Sequence, residues 1–148
     1  MNESRCNVLL VNDDLFEIDM ARRAAVEARS KICLTVAKGA DAVLNWFGAG
    51  VVNKEQIPHL ILLDLRLPKL DGLAALRKLR GHAATRDIPI VVFSAQYTQA
   101  DVLMSYSAGA NSFVAKPADF AQLTELFLER LDYWMPGPNL SQPQMLEP

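Results

Sequence analysis

The chain has 148 residues, of which 51% are hydrophobic and 22% are charged, and its formal net charge is −2. This composition is typical of a folded globular domain and excludes a disordered chain, and the balance of 15 basic and 17 acidic residues gives no overall positive field for nucleic acid. No stretch approaches the roughly 20 apolar residues that span a bilayer, and no signal-peptide run precedes the first strand, so we expect a cytoplasmic protein.

Apolar runs alternate with amphipathic segments along the chain. Short runs rich in β-branched residues and leucine predict buried strands, and apolar residues at i, i+4 spacing predict helices. Asp13 or Asp14 is a candidate N-cap for the first helix, and Thr98 for the fourth. In chain order we predict a strand at 7–12, a helix at 15–29, a strand at 32–36, a helix at 40–47, a strand at 59–63, a helix at 73–80, a strand at 90–93, a helix at 99–107, a strand at 112–115 and a helix from 119 to about 134.

This alternation predicts a parallel sheet with helices on both faces. Because crossover connections are right-handed, the most economical choice is an α/β fold of the flavodoxin-like type, a doubly wound (βα)5 sheet with strand order 2-1-3-4-5. We expect one domain over residues 6–134, followed by a proline-rich tail at 135–148 that is too short for an output domain. A ligand site is predicted at the carboxyl ends of strands 1, 3 and 4.

Polar side chains follow four of the predicted strands. Asn12 and Asp13 end the first strand, Asp64 the third, Ser94 the fourth and Lys116 the fifth. In the predicted sheet they converge at one edge, where carboxylates repel each other unless a cation lies between them, and oxygen ligands favour Mg²⁺. Each residue alone has an ordinary explanation, such as a helix cap or a solvated lysine. Together they suit phosphoryl transfer, with Asp64 as the nucleophile.

Four sequence blocks resemble the signature blocks of response-regulator receiver domains. They are VNDD at 11–14, LLDLRLPKLDG at 62–72, VFSA at 92–95 and GANSFVAKP at 109–117, and the resemblance covers residues 6–134. It implies that Asp64 is the phosphoacceptor, and that Mg²⁺ is held by Asp13, Asp64 and the backbone carbonyl of Arg66. The residues that the resemblance assigns to phosphoryl binding and switching are Ser94, Ala95 through its backbone, Phe113 and Lys116.

Asn12 departs from the receiver pattern. Receivers usually carry two acids at the end of the first strand, and Asn12 stands at the position of the first. Its amide oxygen can contact the metal through a water molecule but brings no charge. We therefore expect weaker Mg²⁺ binding than in an Asn12→Asp variant. Asn12 also leaves open an alternative, a non-phosphorylated pseudo-receiver that acts as a scaffold.

Two other functions on the same type of fold agree less well with the residues. An aspartate-nucleophile phosphatase needs a second acid two residues after the nucleophile, where this chain has Arg66. A flavin carrier needs a phosphate cradle after the first strand, where Asp13 and Asp14 would repel a phosphate. We therefore expect a phosphoacceptor switch that promotes its own phosphotransfer and dephosphorylation, not an enzyme that turns over an external substrate.

The expected output is protein–protein contact, because we expect the tail at 135–148 to be too short for a DNA-binding module. The insert before the third strand and the approach to the fourth resemble single-domain regulators paired with phytochrome-type histidine kinases, or bacteriophytochromes. This narrower resemblance implies such a kinase as partner, and a homodimer formed through the fourth helix, fifth strand and fifth helix. The expected interface residues are Tyr106, Phe113, Tyr133 and Trp134.

Overall fold

The computed structural model describes residues 6–27, 32–48, 57–67 and 70–116, together with residues 122, 125 and 129. Within these ranges the strands and helices follow each other in the predicted order. The elements are β1 (Cys6–Val11), α1 (Leu15–Glu27), β2 (Ile32–Ala37), α2 (Ala40–Gly48), β3 (Leu60–Asp64), β4 (Arg66–Leu67), β5 (Leu70–Asp71), α3 (Gly72–Gly81), β6 (Ile90–Ser94), α4 (Gln99–Ser107) and β7 (Ser112–Ala115).

Five parallel strands form one sheet in the order β2-β1-β3-β6-β7. With the two short strands β4 and β5 set aside, this is the predicted order 2-1-3-4-5, and the flavodoxin-like prediction is confirmed. The predicted fourth and fifth strands are therefore β6 and β7.

The segment after β3, for which the sequence predicts neither a strand nor a helix, contains a short antiparallel ladder. Arg66 pairs with Asp71, and Leu67 pairs with Leu70. Pairing of two residues on each side is too short to produce a periodic pattern in the sequence, so these strands could not be predicted. Residues 68 and 69 lie outside the described ranges.

The C-terminal predictions fall mostly outside the described residues. Residues 122, 125 and 129 are helical, which agrees with a last helix from 119 to about 134. The rest of that helix, the interface candidates Tyr133 and Trp134 and the tail at 135–148 are not described. In the part of the chain that the structure describes, no helix combines the length and apolar character needed to cross a bilayer.

The central strands are buried on both faces of the sheet. Every residue of β3 and β6 is buried, and their side chains alternate between two apolar clusters because strand side chains point to opposite faces. One cluster packs against α1 through Met20 and Ala24. The other packs against α2 and α3 through Val43, Leu76 and Leu79. This packing on both sides fixes the positions of the strand ends.

Side-chain caps begin three of the helices. The Asp14 carboxylate accepts hydrogen bonds from the backbone N–H groups of Phe16 and Glu17, at 2.9 and 3.3 Å. Of the two N-cap candidates for α1, the structure thus selects Asp14. Thr98 and Asp101 form the reciprocal capping box of α4, which confirms the predicted cap. Asp71 caps α3 by accepting from the backbone N–H of Ala74 at 3.2 Å.

Arg80, near the end of α3, links this helix to two connections of the chain. One is the connection that precedes β6, and the other is the connection between α4 and β7. Its guanidinium donates to the carbonyls of Ile88 at 2.6 Å and Gly109 at 2.8 Å, and to the side-chain oxygen of Asn111 at 2.6 Å. The same Asn111 oxygen accepts from the backbone N–H of Ile90 at 2.8 Å. The start of β6 and the approach to β7 are therefore held by one side chain.

Candidate functional site

The polar residues at the strand ends meet at one edge of the sheet, as the topology predicted. Asp64 is the last residue of β3 and not the first residue of the loop, because β6 continues beside it: Asp64 is in register with Phe93, and the Leu65 N–H donates to the Phe93 carbonyl at 2.8 Å. Lys116 follows β7 directly, and its ammonium group donates to Asp64 Oδ2. Only 1% of the Asp64 side chain and 7% of the Lys116 side chain are exposed.

Asn12 links three parts of the site. Its amide oxygen accepts from the Asp14 N–H at 2.7 Å. Its amide nitrogen donates to Glu17 Oε1 at 3.0 Å and to Asp64 Oδ2 at 3.4 Å. The amide oxygen retains a second lone pair that can accept from a metal-bound water. An aspartate at this position could make none of the donor contacts, so the amide here holds together two acids that would otherwise repel each other.

Glu17 belongs to the site, and the sequence analysis did not single it out. Its Oε1 accepts from Lys116 Nζ at 2.7 Å, across 99 positions of the chain. The sequence signal at this position points elsewhere: an acid three residues after the N-cap Asp14 is the pattern of a capping box, in which Glu17 would accept from the Asp14 N–H. Asn12 takes that N–H instead, and Glu17 is directed into the site.

Asp13 has the environment of a cation ligand. Its Oδ2 is buried and has no hydrogen-bond partner among the described residues, and a buried carboxylate oxygen without a partner is costly unless a cation satisfies it. In the described ranges no three His, Cys, Asp or Glu side chains lie in a metal-binding arrangement. The expected set is different, since it combines two carboxylates with the backbone carbonyl of Arg66, which begins β4 just beyond Asp64. The donors fit Mg²⁺, which binds few protein oxygens and keeps several waters.

The proton affinities of the two acids that contact Lys116 differ. Burial, together with the charge and hydrogen bond of the Glu17 carboxylate, raises the pKa of Asp64 to about 7, although the charge and hydrogen bond of Lys116 oppose the rise. Burial alone would also raise the pKa of Glu17, but hydrogen bonds from Lys116 and Asn12 and the charge of Lys116 outweigh it, so this pKa lies below its ordinary value. A cation beside Asp64 would favour the ionised form that a nucleophile requires.

The predicted switch residues lie next to this cluster. Ser94 is 1% exposed, and its hydroxyl donates to the Gln96 carbonyl at 2.8 Å. Ala95, which follows it, is exposed. Phe113 is half-buried and packs edge-to-face on Tyr97, with ring centroids 5.1 Å apart. Tyr97 was not predicted as part of the site, because a loop tyrosine carries no positional signal in the sequence.

Tyr106 is, besides Phe113, the other interface candidate among the described residues, and it lies on α4. It is 47% exposed, and its hydroxyl oxygen accepts from the backbone N–H of Phe113 at 3.1 Å. The same helix also exposes Leu103 and Met104, at 65% and 42%. Tyr106 thus ties this helix directly to β7.

The comparisons with known proteins agree on one family. The model of the response regulator receiver domain matches residues 8–128. The two-component response regulator ARR8 of Arabidopsis thaliana is 31% identical over 137 residues, which cover 84% of this chain and 60% of ARR8. The phosphorylated cyanobacterial phytochrome response regulator RcpA has a TM-score of 0.78 at 24% identity, covering 90% of this chain and 99% of RcpA. The Mn²⁺-bound form of response regulator Rcp1 has a TM-score of 0.75 at 23% identity, covering 89% and 99%.

The family match at residues 8–128 covers most of the predicted domain at residues 6–134. The chain spans 56 to 60% of the length of curated relatives such as ARR8. The solved structures are matched over nearly their whole length, and their sheets and helices superpose on those described above. The family acts as a phosphoacceptor switch in two-component signalling. On the family match and the shared fold, this chain belongs to the response regulator receiver domains.

Proposed function

We propose that the protein is a phosphorylation-controlled switch in which Asp64 accepts a phosphoryl group from a histidine kinase. One observation carries the proposal: Asp64 is buried at the end of a central strand and is contacted by Lys116, which arrives from another strand 52 positions later. A buried acid at this place is costly unless a partner compensates it. The same lysine can bind the oxygens of an incoming phosphoryl group.

The reaction needs few protein groups. A carboxylate oxygen of Asp64 attacks phosphorus, a new P–O bond forms, and the P–N bond to the kinase histidine breaks with its electron pair retained by nitrogen. Mg²⁺, held by Asp13, Asp64 and the Arg66 carbonyl, would offset the repulsion between the carboxylate and the phosphoryl anion. Lys116 would donate to a phosphoryl oxygen, and the backbone N–H of Ala95 would contribute a further hydrogen bond.

The output of the switch is proposed to be a change in a protein–protein surface. The Ser94 hydroxyl would leave the Gln96 carbonyl and turn to the phosphoryl group, and Phe113 would leave its edge-to-face contact with Tyr97 and turn inward. The face formed by α4, β7 and the last helix would then change its preference for partners. Tyr106 lies on this face, and we expect a homodimer to form through it.

The proposed partner is a histidine kinase of the phytochrome type, in the cytoplasm. This proposal is supported by the similarity to the phytochrome response regulator RcpA over 90% of the chain. The pseudo-receiver alternative depends on Asn12 alone and finds no support in the site, because Lys116 contacts Asp64 and the buried Oδ2 of Asp13 has no hydrogen-bond partner among the described residues, as we expect for a site that binds Mg²⁺ and a phosphoryl group. Neither DNA nor RNA is an expected partner, given the net charge of −2.

Phosphotransfer tests the proposal directly. The protein is incubated with labelled phosphorylated histidine kinases from its host, phytochrome-type kinases included, and with acetyl phosphate. We expect Mg²⁺-dependent labelling of the wild type and no labelling of Asp64→Asn. Asp14→Asn is the matched control: it neutralises a neighbouring acid but keeps a good N-cap for α1, and it should be labelled normally. Equal labelling of Asp64→Asn and the wild type would refute the assignment.

Assembly is measured separately, by sedimentation velocity at micromolar concentration with and without beryllofluoride. We expect a dimer, and Tyr106→Ala should weaken it. A monomer under both conditions would contradict the proposed homodimer without affecting the phosphoacceptor assignment.

A further inference from the structure

We propose that Glu17 is a positioning residue that holds Lys116 in the site and supplies the negative charge that Asn12 lacks. The inference rests on the proposed function, since it concerns the same magnesium site, but it assigns a role to a residue outside the four receiver sequence blocks. The observation behind it is the contact of Glu17 Oε1 with both Lys116 Nζ at 2.7 Å and Asn12 Nδ2 at 3.0 Å.

The first argument is the direction of the Glu17 side chain. An acid at this place in a helix ordinarily accepts from the N-cap N–H, three residues earlier. Here the amide oxygen of Asn12 accepts from that N–H at 2.7 Å, and the amide nitrogen of Asn12 donates to Glu17. The amide at position 12 therefore both releases Glu17 from helix capping and binds it within the site. With an acid at position 12, the donor would be missing and the two carboxylates would repel each other.

The second argument is the charge of the site. With its acids ionised, the cluster carries three negative charges, on Asp13, Asp64 and Glu17, and one positive charge, on Lys116. A receiver with two acids at the end of its first strand, a phosphoacceptor aspartate and a lysine has the same three negative charges and one positive charge. Without Glu17, only the carboxylates of Asp13 and Asp64 would offset the repulsion between the Lys116 ammonium and a divalent cation. The contact is also well shielded from solvent, because 7% of the Lys116 side chain and 22% of the Glu17 side chain are exposed. Screening by salt is weak for such a pair.

The third argument concerns geometry. Glu17 binds Lys116 from the side of α1, while Asp64 binds it from β3. Two carboxylates on one ammonium restrict its position more than a single contact does. Glu17 acts through Lys116 and is not proposed as a metal ligand.

Magnesium binding to the unphosphorylated protein tests the proposal without any phosphotransfer. The affinity is measured by NMR titration of backbone amides with MgCl₂ for the wild type, Glu17→Gln and the swap Asn12→Asp/Glu17→Gln. We expect Glu17→Gln to weaken binding by about tenfold or more, the effect typical of losing a residue that orients a metal site. The swap keeps one amide and one acid at the two positions, and it should restore most of the affinity.

Two controls separate the possible failures. Asp19→Asn makes the same charge change on α1, where Asp19 forms an exposed ion pair with Arg23 at 3.1 Å, and it should leave the affinity unchanged. Asp13→Asn removes a proposed ligand and should abolish saturable binding. If Asp13→Asn weakens binding while Glu17→Gln matches the wild type, the role of Glu17 is refuted and the metal site stands. Equal weakening by Asp19→Asn, or a swap as weak as Glu17→Gln, also refutes it. If Asp13→Asn binds normally, the metal site itself fails, and the role of Glu17 with it.

Discussion

Gly72, the first residue of α3, lies against the backbone next to the candidate phosphoacceptor, and Gly72→Ala should destabilise the protein. A Cβ atom at this position would lie 2.5 Å from Leu65 Cα, 2.6 Å from the Leu65 carbonyl oxygen and 2.8 Å from the Asp64 carbonyl oxygen. Unstrained carbon contacts are about 3.5–4.0 Å. All three neighbours are backbone atoms, so relief requires a shift of about 1 Å in α3 or in the end of β3.

The size of the effect follows from two opposing contributions. Overpacking of this kind costs typically 1–3 kcal/mol, and the shift would also strain the hydrogen bond from the Gly72 N–H to the Leu65 carbonyl, which is 3.1 Å long. Alanine recovers at most about 1 kcal/mol of helix propensity. We therefore expect a net loss of about 1–2 kcal/mol in the free energy of unfolding. We also expect slower phosphorylation, because the displaced Leu65 directly follows Asp64 in the chain.

Urea denaturation followed by circular dichroism measures the loss, and Gly81→Ala provides the matched control. Gly81 ends the same helix, and a Cβ atom there would meet nothing within 4 Å. Gly81→Ala should leave stability unchanged or increase it by up to about 1 kcal/mol. A Gly72→Ala protein as stable as the wild type, with normal labelling by acetyl phosphate, would show that the β3–α3 connection is not closely packed.

Three further outcomes are expected. Arg80→Met should lower the free energy of unfolding by about 2–4 kcal/mol, because it leaves several carbonyls without their charged donor. Arg77→Met replaces an exposed arginine on the same helix and should change the free energy of unfolding little. Equal effects of the two changes in urea denaturation would contradict this prediction. Thr98→Ala should cost about 1 kcal/mol by removing the α4 cap, whereas Thr98→Ser should cost much less, and a loss as large in the serine variant would argue against capping. In metal-free protein with EDTA, the pKa of Asp64 is raised to about 7 from an ordinary 3.8, so the folded state binds more protons than the unfolded state and stability should fall as the pH rises from about 4 to 7. Asp64→Asn should remove that part of the pH dependence, and an unchanged pH profile of stability in this variant would refute the prediction.

The order of elements and most of the site were predictable because both depend on local signals. Apolar runs located the five main strands, and the α4 and β7 boundaries agree with the predicted ranges. Asp64 ends β3, Lys116 follows β7 directly and Asp13 lies two residues after the end of β1, and parallel strands bring such residues to one edge. The helix caps were also predictable, since a short polar side chain acts on backbone groups only two or three residues away.

The contacts that depend on residues distant in sequence could not be predicted. Glu17 has the spacing of a capping-box acid, and only the presence of Asn12 and of Lys116, 99 positions later, directs it into the site. Tyr97 became a partner of Phe113 only after the sheet brought β6 and β7 together.

The sequence by itself determined that this chain alternates strands and helices and ends its strands in acids, a serine and a lysine. Only the tertiary structure decided which acids share the lysine and which oxygen remains buried without a partner. The physical reason is that periodicity and capping depend on a few neighbouring residues, whereas a side chain in a site takes the conformation that the charges and donors of every converging strand permit.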